Sequence, residues 1–160
     1  MLPKTQLINI ADREGDIYDL YHEARGSHYH ENIDWLIRAV KNRPLLNKSS
    51  GMKLNKNLWD QLRSEPTKGQ IEFSLPKQGN KTARRVTQEI KSQKVWLYPP
   101  SKRKGKLACN PVQVNAVMAS EINSPTHEKP IERLFITSLP VNTLEELKSI
   151  FQYYIRFLIS

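Results

Sequence analysis

The chain has 160 residues, 38 % of them hydrophobic, with one cysteine and a formal net charge of +9 at pH 7. That length fits one domain with a real core, and no apolar run approaches the ~20 residues of a membrane-spanning helix. Cys109 alone excludes an internal disulfide and a cysteine-based zinc site, and Met1-Leu2-Pro3-Lys4 begins no secretory signal, so the cytoplasm is the expected compartment.

The charge is unevenly spread. Residues 1–37 carry a net of −4, residues 38–108 a net of +14, and residues 109–160 a net of −1. A basic centre between weakly acidic ends predicts a polyanion-binding surface, with a merely solvating basic face as the alternative.

In chain order, Gln6 to Ala11 reads as a short buried strand. The stretch from Asp12 to about Arg25 reads as a helix, with Ile17, Leu20 and Tyr21 at helical spacing. Gly26-Ser27-His28-Tyr29-His30 breaks it, and Asp34 to Val40 reads as a second buried strand. A strand–helix–strand unit of this kind places its two strands parallel, with a right-handed crossover.

From Asn42 to about Pro140 the character changes to short strands, expected at 69–75, 83–90, 94–98, 112–122 and 131–138. Several alternate polar and apolar residues, as a half-exposed antiparallel sheet does. Pro66-Thr67-Lys68-Gly69, Gln78-Gly79-Asn80, Pro99-Pro100-Ser101 and Asn123-Ser124-Pro125 mark turns, and Leu58 to Leu62 a brief helix. The last segment is an amphipathic helix, capped by Asn142 or Thr143, with Leu144, Leu147, Ile150, Phe151, Tyr154 and Phe157 at three- and four-residue steps.

Asp12 stands where the first strand ends and the helix begins. It reads either as a helix N-cap or as a metal-binding carboxylate for phosphoryl transfer. Two-metal chemistry holds its ions about 3.5–4 Å apart and needs two or three converging carboxylates. Glu14, Asp16 and Asp19 follow on the helix, whose turn of about 100° per residue splays them from the strand end.

The order Asp12-Arg13-Glu14-Gly15-Asp16-Ile17-Tyr18, a strand ending at Arg38, a β-rich insertion, Leu134-Phe135-Ile136-Thr137-Ser138 and Tyr153-x-x-Arg156 resembles the bacterial DDE transposases, closest to the IS-four insertion-sequence family. The resemblance implies an α/β (α+β) chain: a partial RNase H-like mixed sheet, a β-rich antiparallel insertion and a C-terminal helix. On it, residues 1–40 are core, 41–140 the insertion and 141–160 a truncated core helix. Asp12 falls on the family's second catalytic aspartate, a ligand for Mg²⁺ or Mn²⁺. Tyr153 and Arg156 fall on the Tyr-x2-Arg-x3-Glu-x6-Lys signature, where they approach DNA phosphates, and Arg38 is expected to face DNA too. In the family the metals activate water and then a DNA 3′-hydroxyl, giving nicking followed by strand transfer.

The departures weigh as much. The family's first aspartate lies upstream of anything in this sequence, Ser160 stands where the signature's glutamate belongs, and its lysine has no counterpart. Glu145 and Glu146 lie roughly 20 Å along the helix from Ser160 and do not substitute. Arg133 stands where the family tends to place a tryptophan that stacks on a displaced base. The expectation is a transposase fragment, truncated at both ends, that binds transposon-end DNA near the bacterial nucleoid and is catalytically incomplete alone. An intact transposase copy is its expected partner. The alternatives are a non-catalytic nucleic-acid-binding module or inhibitor of the intact transposase, and an unrelated basic RNA-binding protein.

Within the basic centre, Lys77, Lys81, Arg84, Arg85, Lys91 and Lys94, with the loop Lys102-Arg103-Lys104, are the candidate phosphate contacts. Trp59, Trp96 and Tyr98 read as buried anchors of the β layer, or as stacking platforms for bases. His28 and His30 have metal-compatible spacing with no third ligand in view, and Cys109 has no sequence-local base.

Overall fold

A parallel pair of strands begins the fold. β1 (Leu7–Ala11) and β2 (Ile33–Arg38) pair in register from Leu7↔Ile33 to Ala11↔Ile37. The computed structural model describes residues 7–12, 33–77, 79–80, 82–99 and 111–159, with the side chains of 158 and 159 excepted. The helix expected after Asp12 lies outside these residues, as do His28, His30, Lys81, Lys102, Arg103, Lys104, Cys109 and Ser160.

The remaining strands are antiparallel: β3 (Gly69–Leu75), β4 (Arg84–Leu97), β5 (Val112–Glu121) and β6 (Glu132–Thr137). β6 pairs antiparallel with β2, Ile37 opposite Ile136, and so joins this block to the parallel pair. The result is one six-stranded mixed sheet in the order β1-β2-β6-β5-β4-β3. With α1 (Leu58–Arg63) and α2 (Leu144–Ile159), the described chain is a mixed α+β structure.

The expected strands at 83–90 and 94–98 are one strand, β4. The polar run that suggests a break is satisfied in place: Lys91 Nζ donates to the Arg63 carbonyl at 2.7 Å, and Gln61 donates to Gln93 Oε1 at 3.2 Å. Ser92 between them is buried. Polar residues pass through a central strand when a helix above supplies their partners.

Alternation along the strands gives the sheet two apolar faces. On one, Trp35, Ile37, Val95, Leu97, Val114, Leu134 and Ile136 pack with Leu45, Leu58 and Leu62 from the crossing loop and α1. Asn42 caps α1 from that loop, accepting from Trp59 N–H at 2.8 Å. On the other face, Leu36, Ile90, Val117 and Phe135 meet Leu147, Ile150, Phe151 and Tyr154 of α2. Phe135 meets Phe151 edge-on at 5.5 Å and Tyr154 at 4.9 Å.

Short polar contacts fix where α2 starts. Thr137 Oγ1 donates to the Trp35 carbonyl at 2.6 Å and accepts from Leu139 N–H at 3.0 Å. Ser138 Oγ accepts from Trp35 N–H and donates to Asp34 Oδ1, both at 2.9 Å. Thr143 then caps the helix: its Oγ1 accepts from Glu146 N–H at 3.2 Å, while the Glu146 carboxylate accepts from Thr143 N–H at 3.0 Å.

Candidate functional site

Because β1 and β2 are parallel and Ala11 sits opposite Ile37, Asp12 and Arg38 leave the sheet at the same end. Ile8, Ile10 and Leu36 of these strands belong to the face covered by α2, and period-two alternation puts Asp12 and Arg38 on it as well. The apolar stripe of α2 ends there in Tyr154, whose ring is buried and whose hydroxyl is not left idle. Tyr154 donates to Asp12 Oδ1 at 3.2 Å and accepts from Arg38 Nη1 at 3.3 Å. Arg38 Nη1 lies 3.9 Å from the same carboxylate oxygen, with the Asp12 side chain 47 % exposed and that of Arg38 21 %.

Arg133, near the start of β6, completes the group. Its guanidinium lies 5.8 Å from the centre of the Tyr154 ring, and among the described residues it makes no ion pair. Burial, and then the neighbouring Arg38 charge, pull the Arg133 guanidinium below its ordinary value, with Tyr154 and Asp12 offsetting part of this. Arg38 and Arg133 together line a cavity of about 360 Å³, with Leu75, Thr82, Arg84, Glu128 and Lys129. They also line a second cavity of about 230 Å³ beside Trp59, Glu132 and Leu134.

Arg84 is placed differently. Its guanidinium takes both oxygens of Glu121 and reaches Glu128 at 2.9 Å. The hydrogen bond from Arg84, helped by Ile131 N–H, holds the Glu121 carboxyl below its ordinary range. This arginine ties the start of β4 to the end of β5 and to the following turn.

Of the other candidates, Arg85 is exposed and pairs with Glu72 at 2.6 Å. Arg156 is exposed in the last turn of α2, and Tyr153 lines a small cavity of about 130 Å³ with Leu139, Pro140 and Ser149. Trp59 is half-buried against the core, its Nε1 donating to the Lys41 carbonyl at 3.3 Å. Trp96 and Tyr98 are half-buried beneath Lys48 and Lys53, at 4.4 and 4.8 Å.

The structure therefore brings Asp12 and Arg38 together, and the tyrosine that joins them is Tyr154, not its neighbour Tyr153. The sequence placed Tyr154 only in the apolar stripe. Its signal was its position as the last buried member of that stripe, where a hydroxyl reaches the helix margin.

Asp12 shares its oxygen with a tyrosine hydroxyl and faces a guanidinium, and among the described residues no three His, Cys, Asp or Glu side chains converge. Those residues do not fit a Mg²⁺ or Mn²⁺ pair, which needs several carboxylates and suffers from an adjacent cation. No family model matches this chain. Among the described residues no helix is long and apolar enough to cross a membrane.

Proposed function

We propose that this chain is a DNA-binding core of the DDE transposase type, akin to the IS-four insertion-sequence family, that engages transposon DNA without cleaving it alone. The observation that carries the reading is the meeting of Asp12, Arg38 and α2 at the carboxyl ends of the parallel pair. Two residues of the resemblance, Asp12 and Arg38, far apart in sequence, meet there through Tyr154 of α2. The +14 net charge of residues 38–108 supplies the sequence-independent attraction to phosphate, with Arg85, Lys102, Arg103, Lys104 and Arg156 as contacts alongside Arg38.

The experiment is a titration of duplex DNA over a salt series, beside a nicking assay in Mg²⁺ and in Mn²⁺. The expected result is binding whose log affinity falls linearly with log salt, and no nicked product. Absence of binding at low salt overturns the DNA reading. Nicking that disappears in Asp12→Ala replaces it with an active enzyme.

A second reading is favoured by the engagement of Asp12 with Tyr154 and Arg38. In it the chain is a non-catalytic module that competes with a complete transposase for DNA ends, and adding it to a transposition reaction lowers the yield.

A further inference from the structure

We propose that Arg38 and Arg133 form a phosphate-binding cradle at the carboxyl ends of β1 and β2, with Asp12 as the built-in counter-ion that an incoming phosphate group displaces. This deepens the reading above, on which the phosphate belongs to a DNA strand.

Positive charge is concentrated around Tyr154. Two guanidinium groups meet around one tyrosine, Arg38 at its hydroxyl and Arg133 over its ring. Among the described residues Asp12 makes the one ion pair with them, at 3.9 Å from Arg38 and half exposed; its charge also acts on Arg133, which itself makes no ion pair there. A half-buried arginine without an ion pair is costly to a fold, and an anion bound between two such groups offsets that cost. Phosphate suits two arginines in particular, because each planar fork donates two parallel N–H bonds to its oxygens.

The surroundings offer room. Both arginines open on the 360 Å³ cavity, whose other charged walls are Lys129 and the mutually paired Arg84 and Glu128. A phosphate seated between Arg38 and Arg133 therefore has space for the rest of its ester. Asp12 sits on the exposed side of the pair at a separation long for a direct hydrogen bond, so a closer anion replaces it at small cost. The Tyr154 hydroxyl, freed from Asp12, can turn its proton to the newcomer.

The test measures inorganic phosphate and a short fluorescent DNA duplex against the full chain and three variants. Arg133→Gln is expected to weaken phosphate binding about tenfold or more, and Arg133→Lys to recover part of it. Asp12→Asn is expected to tighten binding about two- to fivefold, the strength of a half-exposed ion pair. A gain of affinity cannot come from a misfolded variant. Unchanged phosphate binding in Arg133→Gln, or no gain in Asp12→Asn, overturns the cradle. If the variants move phosphate and duplex affinity together, the phosphate is a strand's and both readings stand. If only inorganic phosphate responds, the cradle stands for a free phosphate ester while the duplex binds elsewhere or not at all. If the duplex binds and neither probe senses the variants, the cradle falls and the DNA reading survives.

Discussion

Two arginines face the same cavity and live under different rules. Arg84 is matched by Glu121 and Glu128, joins three segments of chain, and has little left to offer a ligand. Arg133 has an aromatic ring beneath it, a like charge beside it and, among the described residues, no ion pair. Both were equally basic letters in the sequence. The contrast teaches that a positive charge reports on function through its partners: the satisfied one holds the fold, and the unsatisfied one waits for an anion.

The largest effect expected is from Tyr154→Ala, which removes the floor under Arg133 and the ring against Phe135. It should cost about 3–5 kcal/mol in urea unfolding, whereas Tyr154→Phe, losing only the hydroxyl between Arg38 and Asp12, should cost about 1 kcal/mol. On the Arg84 side, Glu121→Gln should lower the denaturation midpoint more than Tyr154→Phe does. Glu121 is held below its ordinary value of 4.5, so its contribution is complete above that pH and is lost as pH falls through the depressed value. An acid titration of stability should show that loss in the native chain and a flatter curve in Glu121→Gln. An equal acid profile in both would erase the contrast.

Arg133→Met should then do the opposite of a break. Replacing a half-buried cation that makes no ion pair among the described residues by an apolar chain of similar reach should leave stability unchanged or raise it by about 1 kcal/mol, while phosphate binding is lost. A clear loss of stability there would put Arg133 in the same class as Arg84. The smallest effect on folding belongs to Arg85→Ala. Its exposed pair with Glu72 contributes less than about 1 kcal/mol, yet the change should lower duplex affinity and reduce the salt slope by about one.

Much of the sheet was legible in the sequence. The parallel pair followed from two apolar runs about 26 residues apart, and β3, β5 and β6 from alternation between turn signals. The unbroken β4 was not legible, because Lys91, Ser92 and Gln93 look like a turn until α1 is seen to supply partners for two of them. At the site, Asp12 stood out for its position at a strand end and Arg38 for closing the next strand. Arg133 was visible only as a departure from a tryptophan, and Tyr154 only as one more apolar step. Both gain their meaning from a meeting between β6 and α2 that no local pattern encodes.

One feature of the sheet bears on how often that meeting is disturbed. β5 is paired with strands on both sides and β4 through seven residue pairs with β3 and ten with β5, while among the described residues β1 is paired along one side, through five residue pairs. Local opening starts where fewest bonds and least buried surface resist it, so the amides of β1 should exchange with deuterium ahead of those of β4 and β5. Each such opening carries Asp12 away from Arg38. The counter-ion is thus mounted on the strand readiest to leave, and the fraction of time the two arginines stand bare is set by that strand's own opening equilibrium.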